Sequence, residues 1–305
     1  MAKLWSLRGL SWLELAKRTC RKSWDDEIFG QSARMGLYFF FAFFPVLLLL
    51  LILLGEAVGG SSEWRAALID SFRQVLPPEA SALIAQTIQE QNARAILGAG
   101  AILAAAYAAW GSLNGTWAVI TGLNKAYEVE EKRPWSRILL IMFSLTICLG
   151  VLGLIALAAI VYGNRAGKMI GHQLGLPADL EILWRVVEWI FIVIPLLVSF
   201  SLLYRFGPNL KDRRWQWSIP GAVIAATLWV PSTLLLRVYQ EHFRSSRVYG
   251  KLNAVATLLL WLYVTGAVIF IGGEANSEIE KAAAEAGHSD VRSAGGQRSG
   301  SSDRQ

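Results

Sequence analysis

One run of residues restricts this chain more than any other: from Ala254 to Gly273 it is apolar, and Glu274 stands at its end. About 20 residues rising 1.5 Å each cross a hydrocarbon core, so the run predicts a membrane-spanning helix. An ionisable group at the edge of that core faces protein interior or water rather than lipid. Helical steps of three and four back from Glu274 reach Phe270, Ala267, Tyr263, Ala256 and Asn253. That face is small and polar, and it is predicted to pack inward.

The rest of the chain fits the same class. Of its 305 residues 54% are hydrophobic and 17% charged, too apolar for a soluble protein with an ordinary charged surface. Further apolar runs lie near 36–54, 95–117, 138–162, 186–204 and 219–236. With 254–273 they predict an all-α polytopic membrane protein of six transmembrane helices. The domain plan is an N-terminal region over 1–33, a membrane domain over 34–280 and a tail over 281–305.

The net charge of +6 reports topology before partners, because the basic residues gather beside the spans. Seven precede the first span: Lys3, Arg8, Lys17, Arg18, Arg21, Lys22 and Arg34. Placing both termini in the cytoplasm puts 19 Lys and Arg inside and 10 outside. Only the stretch 237–251 opposes this, with Arg237, Arg244, Arg247 and Lys251 outside. The expected location is the inner membrane, multi-pass. The first strong apolar run begins after Arg34 and continues to spanning length, so no cleavable signal peptide is expected and the first span serves as the insertion signal.

Before the membrane, Trp12, Leu13, Ala16, Cys20 and Trp24 share one helical face while Lys17, Arg18 and Arg21 take another, which predicts an amphipathic interfacial helix. The longest outside loop, 56–94, holds two short amphipathic patterns divided by Pro77-Pro78. A helical hairpin capping the outer mouth is one reading, and packing against the spans is the plainer one. The segment after Ala284 is Gly, Ser and charge, without apolar residues to offset ordering, so disorder is expected.

Pro45 and Pro195 each lie midway in a span, in the similar settings FFPVLLL and VIPLLVS. An inverted repeat of three plus three spans would pair them so, but two independently tolerated prolines is the stronger reading. Gly111 with Gly115, and Gly163, Gly167, Gly171 and Gly175, suit close helix contacts, the second set equally a flexible loop. Trp135, Trp184, Trp189, Trp215 and Trp217 flank spans as an aromatic belt does.

Motifs for chemistry are missing. His172, His242 and His288 have no partner at metal-ligand spacing, and Cys20 and Cys148 form no disulfide framework. The chain contains no Walker loop, dinucleotide glycine fingerprint or Gly-x-Ser-x-Gly elbow. Neither cofactor, metal nor nucleic acid is expected. Asp25, Asp26 and Glu27 read as the solvated end of the first helix or a cap for the next. The remaining candidates are polar residues in or beside spans: Glu274, Tyr263, Asn253, Asn114, Tyr249, Asn276, Pro45 and Asn209. An Asn in a membrane bundle usually bonds to a neighbouring helix. Asn276 points almost opposite to Glu274. For Glu274 a solvated helix end is slightly favoured over a proton or substrate group in a cytoplasm-facing cavity, because Glu278 and Glu280 continue the acidic stretch.

Several of these residues sit in ordered motifs: Phe44-Pro45, Leu123-Asn124-Lys125-Ala126-Tyr127, Tyr204 to Asn209 (YRFGPN), Ile219-Pro220-Gly221-Ala222, Val248-Tyr249-Gly250, Leu258 to Tyr263 (LLLWLY), and Gly273-Glu274-Ala275-Asn276. Together they resemble the YihY/BrkB family of bacterial inner-membrane proteins, over nearly the whole membrane region. Arg34, where the family often has a small residue, and Ala42, where it often has a small hydroxyl, depart from the pattern. The resemblance implies a six-span helical domain. Its names come from a serum-resistance phenotype and from uncharacterised membrane proteins, and some members carry an old ribonuclease BN label that this sequence does not fit. The reading is non-enzymatic. It expects membrane lipids as partners and a transporter or translocator for an envelope lipid or small molecule, with an envelope scaffold as the alternative.

Overall fold

Residues 11–57, 99–174, 179–210, 215–243 and 250–285 are described in this computed structural model, with 66, 69–70, 81–82 and 85 between the first two stretches. Helices α1 (Trp12–Asp25), α2 (Ile28–Ala57), α3 (Ala99–Ala126), α4 (Trp135–Leu174), α5 (Asp179–Phe206), α6 (Ile219–Phe243) and α7 (Gly250–Glu285) follow one another, with a 3-10 turn at Trp215–Trp217 before α6. The chain is all-α and membrane-embedded by composition: Trp135–Ala159, Trp189–Phe206, Trp215–Leu236 and Val255–Ala283 are each long and apolar enough to cross a bilayer. Helices α2 and α3, with 30 and 28 residues, overlap the apolar runs at 36–54 and 95–117. The expected hairpin over 56–94 falls almost wholly outside the described residues, as does the tail beyond 285.

Every long helix but α3 and α6 outruns its apolar stretch at both ends, because helix termini are set by turn chemistry and neighbouring contacts rather than by the edge of hydrophobicity. The largest correction is α4, which continues to Leu174. Gly163, Gly167 and Gly171 therefore lie in helix and not in a flexible loop, while Gly175 is outside the described residues. Residues 281–285, assigned to the tail from sequence, are the last turn of α7.

Helix α7 is the axis of the bundle. It touches α1, α2, α3 and α6, and half of its spanning window is buried, against 17% for α4. Its Val268, Ile269 and Phe270 pack with Met35 of α2, Val119 and Leu123 of α3, Tyr204 of α5 and Ala225 of α6. Helices α2 and α3 close tightly where a Cβ added to Gly111 would stand 2.9 Å from the Cβ of Ala42, and one added to Gly115 3.0 Å from Phe39, so this glycine pair does serve helix contact. Outward, α4 shows Leu140, Phe143 and Ile147, and α5 shows Trp189, Phe191 and Ile194, all exposed. Such continuous apolar surface suits lipid and not water.

Helix α1 lies across one end of this bundle. Ser11 caps it by accepting from the Glu14 N–H at 3.1 Å, an ordinary N-terminal device. Trp12, Leu13, Ala16, Cys20 and Trp24 are all exposed on it, and Leu15, Thr19 and Ser23 are buried. Leu15 packs with Trp217, Ile279 and Ala283. Trp135, Trp189 and Trp215 are exposed as an aromatic belt requires, but Trp217 is 6% exposed. It belongs to that small core instead, because α1 covers it.

Candidate functional site

The end of the bundle beneath α1 concentrates the polar chemistry, in two adjoining clusters. The first locks backbone to backbone. Beyond Phe206 the chain leaves helix α5 through Gly207, whose N–H bonds to the Leu203 carbonyl at 2.9 Å, and Pro208 cannot continue the helix. Arg133 reaches in from the α3–α4 connection: its Nη2 donates to the Gly207 carbonyl at 2.9 Å and its Nη1 to the Phe206 carbonyl at 3.3 Å. Its Nε donates to Glu131 Oε1 at 2.7 Å. Asn124 of α3 joins both sides, donating from Nδ2 to Glu131 Oε2 at 2.9 Å and accepting the Asn209 N–H on Oδ1 at 2.7 Å. Burial pushes the Glu131 carboxyl up, but the hydrogen bonds from Arg133 and Asn124 outweigh it and leave the group below the ordinary carboxylate range.

The YRFGPN and LNKAY motifs are thus two halves of one corner. A parallel device joins α6 to α7: the Gly221 N–H donates to Asn276 Oδ1 at 2.6 Å, and Asn276 Nδ2 donates to the Ser218 carbonyl at 3.3 Å. Tyr204 adds α5 by donating its hydroxyl to the Ile269 carbonyl at 2.9 Å. Each bond satisfies a buried polar group that would otherwise cost about 1–3 kcal/mol.

The second cluster is ionic. Lys22 of α1 and Lys281 of α7 both bind Glu128 Oε1, Lys281 at 3.0 Å, and Lys281 also reaches Glu278 Oε1 at 3.2 Å. The Lys22 ammonium lies 3.9 Å from Asp26 Oδ2. Hydrogen bonding from Lys22, more than from Lys281, holds the Glu128 carboxyl below its usual range. Beneath this cluster lies Glu274, 0% exposed. Neither of its carboxylate oxygens has a hydrogen-bond partner. Its side-chain neighbour is the Asp26 carboxylate, and Lys22 and Lys281 act on it from further away.

This overturns the solvated helix end expected for Glu274. The helix does not stop at Gly273 but runs eleven residues past Glu274 to Glu285, and α1 covers it. Glu278 and Glu280 are likewise buried, at 6% and 8% exposure. Asp26, expected to be solvated or a cap, is the C-terminal cap of α1 but turns its side chain toward Glu274. Asp25 and Glu27 do stay exposed.

The other candidates disperse. Asn276 faces α6, opposite the carboxylate contact, as the helical spacing predicts, and Asn209 belongs to the corner. Asn114 donates to the Trp110 carbonyl of its own helix at 2.7 Å rather than to a neighbouring helix. Tyr263 is half-buried, its backbone against Gly36. Ala256 is exposed, so the inward face read back from Glu274 does not stay inward along the whole span; at that level Thr257 and Leu258 are the buried residues. Pro45 sits inside α2 without ending it. Asn253 is helical, its side chain outside the described residues, and Tyr249 lies outside them entirely.

Sequence reading passed over Lys22, Glu128, Lys281 and Arg133. One signal was present: Leu15, Thr19, Lys22 and Asp26 fall on a single stripe of α1, hidden by the stronger Trp face beside it. Among the described residues no group of three His, Cys, Asp or Glu is placed to hold a metal.

Comparison with known proteins covers both clusters. A family model described as "Virulence factor BrkB" matches residues 19–295. The ribonuclease-like protein YfkH of Bacillus subtilis is 31% identical over 215 residues, 69% of this chain and 76% of that one. A UPF0761 membrane protein of Tolumonas auensis is 26% identical over 162 residues, 52% of this chain and 50% of its own length. Another, from Idiomarina loihiensis, is 29% identical over 96 residues, 31% of this chain and 34% of the relative. This chain therefore spans half or less of those two relatives. No solved structure matches it.

Proposed function

The chain belongs to the BrkB family of membrane proteins, and we propose that it is a transporter or translocator of the inner membrane whose cargo is an envelope lipid or a small molecule. In this reading all six long helices from α2 to α7 span the bilayer. Both termini and the α1 end face the cytoplasm, where the Lys and Arg excess lies, and α1 rests its Trp12 and Trp24 face in the lipid interface. The observation that carries the reading is Glu274, a fully buried carboxylate without a hydrogen-bond partner on the axial helix. Ionisable groups at such depth are costly and mark pathways for ions or substrates.

A nuclease, as the name of the YfkH relative would suggest, needs metal ligands or an acid/base set together with a basic RNA surface. Three cations near Glu274 are engaged within the protein: Lys22 and Lys281 hold Glu128, and Arg133 holds Glu131 and two carbonyls. The test is purified protein in liposomes, assayed for lipid scrambling and for uptake driven by a proton gradient. Wild type gives flux, and Glu274→Gln lowers it by about tenfold or more, the effect expected when one required ionisable group costs about 1.4 kcal/mol or more of the barrier. Equal flux by the variant removes Glu274 from the mechanism.

A further inference from the structure

Two carboxylates meet at the centre of this end of the bundle, and between them they lack a hydrogen. Neither oxygen of Glu274 has a hydrogen-bond partner, nor does Asp26 Oδ2, and the two carboxyl groups are side-chain neighbours. An ionised carboxylate can only accept, whereas a protonated one donates. A single proton therefore turns two unsatisfied acceptors into one hydrogen bond. Exposure is greatest at the rim of the ion cluster and nil at the inner carboxyl: the Glu128 side chain is 48% exposed, Lys22 17% and Asp26 18%, and Glu274 is 0% exposed.

We propose that Asp26 and Glu274 bind one exchangeable proton, shared as a carboxyl–carboxylate pair and closed from water by the Lys22–Glu128–Lys281 ion cluster. The pair deepens the reading of Glu274 given above, since it names what the site binds. The proton arrives from water and returns there; no other bond is made or broken. The groups that set the field around it are Lys22 on α1, Glu278 and Lys281 on α7, and Glu128 from the α3–α4 connection. A metal cation suits the place less well. Hard cations want about six oxygen ligands, and the Lys22 ammonium already stands 3.9 Å from Asp26 Oδ2.

Infrared difference spectroscopy on the full chain in lipid nanodiscs tests this, in potassium or sodium buffers of stepped pH. The expected result is a carbonyl band of a protonated carboxyl that moves to lower frequency in D2O, vanishes as pH rises, is absent from Glu274→Gln and is displaced in Asp26→Asn. No such band in the wild type, or its survival in Glu274→Gln, overturns the proposal. Loss of the band when sodium replaces potassium at constant pH also overturns it and points to a metal cation. Should Glu274→Gln fail to fold, as read by circular dichroism, the Asp26→Asn spectrum decides: a band at unchanged frequency overturns the shared proton. The band without flux in liposomes keeps the pair and removes transport. Flux without the band removes the pair and keeps transport.

Discussion

Gly221→Val lowers the stability of the protein in detergent by about 3 kcal/mol or more, the upper range for forcing atoms into a filled interior, and thermal or denaturant melting reads it. A Cβ at this position meets the Gly272 carbonyl oxygen and the amide of Asn276. One of those is backbone and cannot rotate away; the other is held by its bonds to the Gly221 N–H and the Ser218 carbonyl. The two helices must separate, and the same separation pulls Gly272 from Ala225 and the Gly221 carbonyl, its close neighbours on α6. Gly221→Ala is expected to show a smaller loss in the same direction. A valine variant that melts with wild type shows that α6 and α7 do not approach as described.

Arg133→Ala has the second large effect, a loss of about 3–5 kcal/mol, the cost of leaving one partner of a buried ion pair alone. The Arg133 side chain is 9% exposed and Glu131 16%. Removing the guanidinium leaves that carboxylate with the Asn124 amide and the backbone N–H of residue 133 but no cation, and frees the Phe206 and Gly207 carbonyls at the end of α5. Arg133→Lys keeps the charge but cannot span Glu131 and two carbonyls at once, since a fork of five donors is replaced by one ammonium; its loss falls between wild type and Ala. Equal melting of all three proteins contradicts the role of Arg133 as the brace of the corner.

Sequence periodicity found the six long helices because a run of some twenty apolar residues has few other uses. It missed their ends. Gly163 to Gly171 read equally as helix contact or as flexible loop because Arg165 and Lys168 interrupt the hydropathy, and α4 carries on through them. The motif residues were legible as a pattern and not as contacts. Asn124 and Asn209 are separated by 85 positions, and Gly221 and Asn276 by 55, so only the fold reveals that the motifs bond to one another. Glu274 was legible as a charge in the last apolar helix but its surroundings were not, because helix spacing says which residues share a face but not what lies across from it. What covers it is α1, whose exposed tryptophans dominated the sequence signal while Lys22 and Asp26 faced inward.

If Glu274 lies on a path that α1 and the ion cluster close, as proposed above, water reaches it only when that cluster opens. Single cysteines placed along α7 from Asn253 to Glu274, in a chain with Cys20 and Cys148 replaced, measure this through reaction with a membrane-impermeant thiol reagent in native membranes. The expected result is slow labelling at 267, 270 and 274 that quickens by about tenfold when Lys22→Ala and Glu128→Ala break the cluster, confined to that face of the helix. Positions 267, 270 and 274 that stay unlabelled in the broken cluster, or labelling that spreads evenly around α7, would contradict it.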